Sequence, residues 1–256
     1  SPMPGATHRL KLWIAYDGRP FRGWQSQASG DAVQDVFEKA LATVAGHPIT
    51  LHGCSRTDAG VHALGQVAHA DVPAGKHDTG TWQAALNAYL PAEIRVLRIG
   101  RASPAFHARF SARRKTYIYR IWNGPFLHPL EIGRAWHVPL PLDDLLLRTG
   151  AALLEGTHDF AGFAANRRKP IADAVRTIQP ICIGRRGAVL TLRFEADGFL
   201  YKMVRLLTGT LVRCGQGRAS VDLIPKLLEG GGAIKTPHSA PPEGLYLARV
   251  VYGRKR

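Results

Sequence analysis

Cysteine is scarce in this chain: Cys54, Cys182 and Cys214 are the only three in 256 residues, far apart and without a CxxC pair. An odd, dispersed set supports neither a disulfide framework nor a zinc ribbon, and a reducing cytoplasm is its natural setting. Long apolar runs are missing too. Stretches such as Ala151 to Leu154 and Ala188 to Leu190 fall far short of the roughly 20 residues that cross a bilayer, so no membrane span is expected. The opening Ser-Pro-Met-Pro-Gly-Ala-Thr-His lacks an apolar signal core and is expected to direct no export. Acid is the third shortage. With 19 Asp+Glu against 34 Lys+Arg the formal charge is +15, and a chain this basic is drawn to polyanions. Without a basic amphipathic anchor for a lipid surface, nucleic acid is the favoured partner.

What is present reads as a folded α+β protein. Hydrophobic content is 45%, which excludes disorder, and the length suits one large domain or two of roughly 100 to 150 residues. Leu10, Leu12, Ile14 and Tyr16 alternate with Lys11, Trp13 and Ala15, a strand period, and Asp17-Gly18-Arg19-Pro20 supplies a turn. From Val33 the period lengthens, with Val36, Phe37, Ala40, Leu41 and Val44 on one helical face behind an Asp31/Gln34 pair of capping-box type. Strands are predicted at 49–55 and 65–72, a helix at 81–89 stopped by Pro91, and a strand at 94–99. The second half repeats this β-α-β-β-α-β order: strand 115–122, helix 142–154, strands 175–183 and 188–196, a helix carrying Leu200, Met203, Val204, Leu207 and Leu211, and after a further short helix a closing strand at 245–251. Two ferredoxin-like halves, 1–108 and 109–256, each with helices on an antiparallel sheet, are expected to meet at a central basic cleft. One irregular α/β domain is the alternative.

The charge is concentrated. Eight Lys/Arg and no Asp or Glu lie between Arg95 and Arg120, interleaved with Phe106, Phe110, Tyr117 and Tyr119, and further basic clusters stand at Arg167-Arg168-Lys169 and Arg185-Arg186. Guanidinium groups pair with phosphates and aromatic faces stack on bases outside regular duplex, so RNA is the expected ligand. The plainer reading is a solvated edge. Its like charges repel unless an anion bridges them.

One acid stands out. Asp58, in Arg56-Thr57-Asp58-Ala59-Gly60-Val61-His62-Ala63, follows a predicted strand and precedes two small residues that permit a tight turn. Taken alone, such an Asp is a turn former. Arg56, two residues earlier, shares its face if the strand continues. His62 and His69 are seven apart, which is not metal-ligand spacing on a helix, and are read as structural or RNA-facing. Gly215-Gln216-Gly217 and Gly230-Gly231-Gly232 lack the lysine of a phosphate loop and are read as turns.

Many segments in order carry a resemblance: Ala15 to Gly18, Phe21 to Gln27, Arg56 to Ala63, Gly65-Gln66-Val67, Ala85-Leu86-Asn87, Phe106 to Ala112, Lys115 to Tyr119, His158-Asp159-Phe160, Gly198 to Arg205 and Ala240 to Leu247. Together they resemble the TruA family of tRNA pseudouridine synthases almost end to end. Lys202 stands where that family often has His, and Ser55 where it often has Gly. The resemblance implies isomerisation of uridine to pseudouridine in the anticodon arm of tRNA, commonly at positions 38 to 40, by a cytoplasmic homodimer in which one tRNA spans both subunits. No cofactor and no metal are implied. Asp58 is then the nucleophilic carboxylate, Arg205 the cation that keeps it ionised, and Tyr117 the ring that stacks on the target base. Arg56 is expected to fill the space of the flipped base or grip its phosphate, and Arg109 to bind substrate. Without the resemblance, Arg205 would read as a surface helix residue and Tyr117 and Tyr119 as core. The competing functions are a catalytically silent RNA-binding module of the same fold, and a metal-dependent RNA hydrolase, for which a carboxylate/His cluster is lacking.

Overall fold

The computed structural model describes residues 5–166 and 171–253. The predicted basic cluster Arg167-Arg168-Lys169 lies outside the described residues. The chain forms two compact units, one running to Arg113 and taking back the chain from Leu247 onward, the other spanning Arg114–Tyr246. The expected division at 108/109 left the closing strand with the second half, whereas most of it packs with the first.

In the first unit the order is β1 (Thr7–Tyr16), α1 (Val33–Ala45), β2 (His52–Gly53), β3 (His62–Pro73), α2 (Thr79–Tyr89) and β4 (Ile94–Ala102). Strand β1 is central, antiparallel to both β3 and β4, and β2 adds to the far edge of β3 through His52 opposite His69. The order β4-β1-β3-β2 is a split β-α-β arrangement. The alternation in β1 is realised: Leu10, Leu12, Ile14 and Tyr16 are buried, with Lys11, Trp13 and Ala15 on the opposite face. Val33, Phe37, Ala40, Leu41 and Ala45 form the buried face of α1. Fully burying a side chain such as Phe37 contributes roughly 1.5–3 kcal/mol.

Helix ends follow local chemistry. Gly46 closes α1 at φ 86°, and the Asp78 carboxylate accepts from the Thr81 N–H at 2.7 Å to open α2. The predicted Asp31/Gln34 box does not form. Asp35 accepts from the Ala32 N–H instead, while Asp31 pairs with Arg22 and Gln34 accepts from the Ser26 N–H. The strand predicted at 49–55 shrinks to β2, because only His52 and Gly53 find ladder partners on β3.

The second unit holds β5 (Ala112–Trp122, from Arg114), β6 (Trp136–His137), α3 (Asp144–Leu154), β7 (Gly156–Asp159), β8 (Val175–Ile178), β9 (Cys182–Arg186), β10 (Val189–Ala196), α4 (Met203–Gly215) and α5 (Leu223–Glu229). Its sheet runs β5-β10-β8-β7, with β6 beside β5 and β9 beside β10. The single strand predicted at 175–183 is two, separated at Gln179-Pro180-Ile181, where proline's missing N–H breaks the ladder. Helix α3 packs on α4 and α5. The chain closes with β11 (Leu245–Tyr252), whose residues from Leu247 lie beside β3 in the first unit. No helix among the described residues is long and apolar enough to cross a membrane.

Candidate active site

Residues 54–61 do not continue β2; they form an irregular segment that ends in a tight turn. The Val61 N–H donates to the Asp58 carbonyl at 3.1 Å, and Gly60 sits at φ 82°. A turn with a positive φ at its third residue calls for glycine there, which is why Asp-Ala-Gly-Val builds it. Asp58 stands half-buried at the turn's first position and Arg56 is exposed. The condition that placed Arg56 on Asp58's face, a continuing strand, is not met.

Separate stretches of chain close on this turn. The Trp24 N–H donates to the Thr57 carbonyl at 3.1 Å, and the Tyr16 and Thr57 hydroxyls share a buried hydrogen bond of 2.7 Å. The Gly18 N–H donates to His62 Nδ1 at 2.9 Å. Gln66, fully buried, accepts from the Ser55 N–H and donates to the Ser55 carbonyl at 2.6 Å. Gly18 and Gly23 make the approach possible. A Cβ on Gly18 would lie 2.0 Å from the Val61 carbonyl oxygen, and one on Gly23 would lie 2.6 Å from that of Thr57. The motif stretches 15–27, 56–63 and 65–67 thus meet at the segment that carries Asp58. Asp17, 3.5 Å from His62 Nδ1, is held low, to about 2, chiefly by the Arg19 guanidinium bonded to it. Burial pushes the Tyr16 phenol up, keeping it neutral.

The second unit holds the other two principal candidates. Tyr117 on β5 is buried, edge-on to Phe199 at 5.1 Å, and Tyr119 is fully buried with its hydroxyl donating to the Pro241 carbonyl at 2.6 Å. Tyr117 keeps 9% of its surface, Tyr119 none, so Tyr119 is the core member of the pair. The apolar stripe expected for α4 widens into burial on nearly every side, leaving Arg205 and Arg213 as its two residues outside the core. Arg205 is fixed at both ends: its Nε donates to the Ala240 carbonyl at 2.8 Å and its carbonyl accepts from the Ala240 N–H at 2.9 Å. Lys202, which precedes α4, has φ 58°, the one positive value at a non-glycine among the described residues.

Of the eight cations between Arg95 and Arg120, several have partners from outside the run. Arg120 pairs with Glu131 at 2.8 Å and Arg114 with Glu195 at 3.3 Å. Arg95 donates to the Pro91 and Ile94 carbonyls, and Arg98 stacks over Trp13 at 4.7 Å. The expected mutual repulsion is therefore relieved internally at these positions. Arg109 is exposed beside the exposed Phe110 ring. Outside the run, Arg185 of the second predicted cluster is paired with Asp144.

One grouping escaped the sequence because its members are distant in the chain. The ring nitrogens of His52, His69 and His107 lie within 4.8 Å of one another. The donor chemistry does not suit a metal as arranged. His69 Nδ1 accepts from the Ala108 N–H at 3.0 Å, and His107 Nδ1 accepts from the Arg109 and Phe110 N–H groups. Each neutral ring then carries its proton on Nε2 and has no lone pair there to offer. Desolvation, with Arg9 nearby, lowers His69 to about 4. The group is a folded support for the 106–111 loop.

The comparisons with known proteins agree with this convergence of motifs. A family model described as tRNA pseudouridine synthase matches residues 13–111 and 151–253. The matched ranges contain Arg56, Asp58, Arg109 and Arg205; Tyr117 falls between them. The proteins called tRNA pseudouridine synthase A in Akkermansia muciniphila (44% identical, 95% of each chain covered) and Methylacidiphilum infernorum (41% identical, 94% of each) are similar over nearly the whole length. That of Solidesulfovibrio magneticus is 42% identical, covering 96% of this chain and 91% of its own. On the extent of these matches, the chain belongs to the tRNA pseudouridine synthase family.

Proposed function

We propose that this protein isomerises uridine to pseudouridine in the anticodon stem-loop of tRNA, at positions 38, 39 and 40, with Asp58 as nucleophile. The observation that carries the reading is the Asp58 turn, whose flanking residues Thr57 and Val61 are met by chain from a separate family motif, so that the turn bearing the one carboxylate is fixed. In the reaction the N1–C1′ bond breaks with its electron pair leaving on the uracil. The base turns, C5 bonds to C1′, and the C5 proton is lost while N1 regains one. Nothing is oxidised or reduced, and no cofactor is called for. Asp58 either attacks C1′, as a glycosidase carboxylate does, or supports a route through a glycal. One carboxylate suffices because the leaving base is recaptured and no water needs activating.

The target base leaves its stack at a cost of about a few kcal/mol. We assign Tyr117 to stacking on it, Arg205 to keeping Asp58 ionised, Arg56 to the vacated space or the flipped phosphate, and Arg109 to the RNA backbone. The exposure of Arg56 and Arg109 supports their reach to RNA. We take the protein to be a cytoplasmic homodimer, for which sedimentation with and without tRNA is the check. Unmodified tRNA incubated with wild type gains pseudouridine, and with Asp58→Asn gains none; formation by the variant overturns the catalytic assignment. Arg56→Ala reduces turnover much more than RNA affinity, and equal loss of both rejects its role. Binding without any conversion by wild type would favour the silent RNA-binding module.

A further inference from the structure

The two arginines that α4 leaves outside the core stand two turns apart, and both face the segment 237–240. Arg205 is bonded to that segment. Arg213 is not: its guanidinium makes no hydrogen bond or ion pair with any described residue, although Arg9, Arg120 and Arg185 in this chain are each held by a carboxylate. Arg213 instead lines a cavity of about 280 Å³ with Trp136, Gln216, His238 and Ser239, wholly within the second unit. The backbone shapes it, since segment 237–240 passes so close to α4 that a Cβ on Gly209 would lie 2.5 Å from the His238 carbonyl oxygen.

Its chemistry is one-sided. No Asp or Glu lines the cavity. A half-buried guanidinium presents a fork of N–H donors whose desolvation is offset only by acceptors. Planar bidentate pairing with a phosphate is what that fork fits best. Around it stand a Gln amide, a Ser hydroxyl and an imidazole that burial and the adjacent Arg213 charge hold below its usual range, so that it stays neutral.

We propose that this cavity is a phosphate site for the RNA substrate, in which Arg213 takes one phosphodiester and Gln216, Ser239 and His238 complete its hydrogen bonds. It rests on the tRNA reading above. Segment 237–240, which walls the site, also anchors Arg205, so a phosphate bound here fixes the segment on which that residue depends.

The test uses the full chain carrying Asp58→Asn, so that bound tRNA is not converted, with Kd measured from about 50 to 200 mM salt. Adding Arg213→Gln is expected to weaken binding about five- to tenfold at the low-salt end and to reduce the slope of log K against log salt by about one. Arg213→Lys, which keeps the charge, retains the slope. Matched thermal unfolding of the variants keeps the comparison to the native fold, and Arg213→Met, with the same loss of slope expected, replaces Arg213→Gln if that variant unfolds. Inorganic phosphate, followed by the His238 imidazole resonance, distinguishes the source. An unchanged slope with an Arg213-dependent response to phosphate assigns the cavity to free phosphate and overturns the RNA site. An unchanged slope with no response overturns any phosphate site. Absence of pseudouridine formation by the wild-type chain, with this binding intact, would count against the proposed function alone.

Discussion

Around Asp58 a single acid is held by contacts from separate stretches of chain, whereas between Arg95 and Arg120 eight cations are spread over two strands and a loop. The turn needs glycines where neighbouring backbone presses in. The run needs carboxylates and carbonyls from elsewhere, and it finds Glu131, Glu195 and the Pro91 carbonyl. The difference teaches that position, not amount, decides what charge does in this protein. A surplus of +15 supplies long-range attraction to a polyanion, but part of it is bound up in the fold. The chemistry is assigned to a residue of the opposite sign.

The hardest test of that contrast is removal of the one acid. Asp58→Ala is expected to lower turnover by roughly 10⁴-fold or more with the thermal transition little changed, because backbone bonds hold the turn. A variant that instead unfolded would mean that the carboxylate, not the backbone, builds the turn. Next comes the cradle. Gly23 combines φ 79° with a 2.6 Å approach to the Thr57 carbonyl oxygen, so Gly23→Ala must displace the turn. A shift of that kind costs about 10²-fold in turnover while tRNA affinity is kept. Equal loss of both would dissolve the distinction between holding the acid and holding the RNA.

The strongly periodic parts of this architecture were legible. Strand β1, helices α1 and α2, and the tyrosine-bearing β5 follow from spacing, because one face of each is buried against its own unit. The turn at Asp58 was legible as well, since Asp favours turns and the glycine two residues on accepts the positive φ that one needs. Its cradle was not: nothing near Gly18 or Gly23 in the chain says that their hydrogens face residues 57–61. The partners of the basic run were hidden for the same reason. Glu195 reaches Arg114 because β5 and β10 pair with Thr116 opposite Glu195, and Glu131 reaches Arg120 from a short 3₁₀ turn. The three-histidine group joins β2, β3 and the 106–111 loop. Such contacts are set by strand register, which a single sequence shows only where a whole face alternates.

That histidine group sharpens the comparison from the side of the fold. His69 is buried, accepts a backbone N–H within the basic run, and titrates near 4, against about 6.5 in an unfolded chain. Between those values the unfolded state binds a proton that the folded state does not. Stability is therefore fully present above about pH 6.5 and falls as pH drops toward 4, by on the order of 2 kcal/mol. Thermal unfolding at pH 7 and pH 5 measures it. His69→Asn, whose amide oxygen can replace Nδ1 as acceptor, is expected to flatten the dependence, and an unaltered pH slope would place the sensitivity elsewhere.

The smallest expected effect divides the run itself. Arg120 is half-buried and paired with Glu131, so Arg120→Ala should cost about 1–3 kcal/mol, mostly by leaving the glutamate without its partner. The same loss is expected for Glu131→Ala, and neither should alter the salt dependence of tRNA binding. Arg101 is exposed on β4. Arg101→Ala should leave the melting temperature within about a degree of wild type, because exposed substitutions typically change stability by less than 0.5 kcal/mol, while lowering the salt slope by about one if its charge meets a phosphate. The affinity change at physiological salt is then only a few-fold, which is why the slope is the better readout. Should Arg120→Ala lower the slope and Arg101→Ala lower stability, the division of the run into fold-bound and RNA-facing cations would be reversed, and the charge count would again be the better guide to its use.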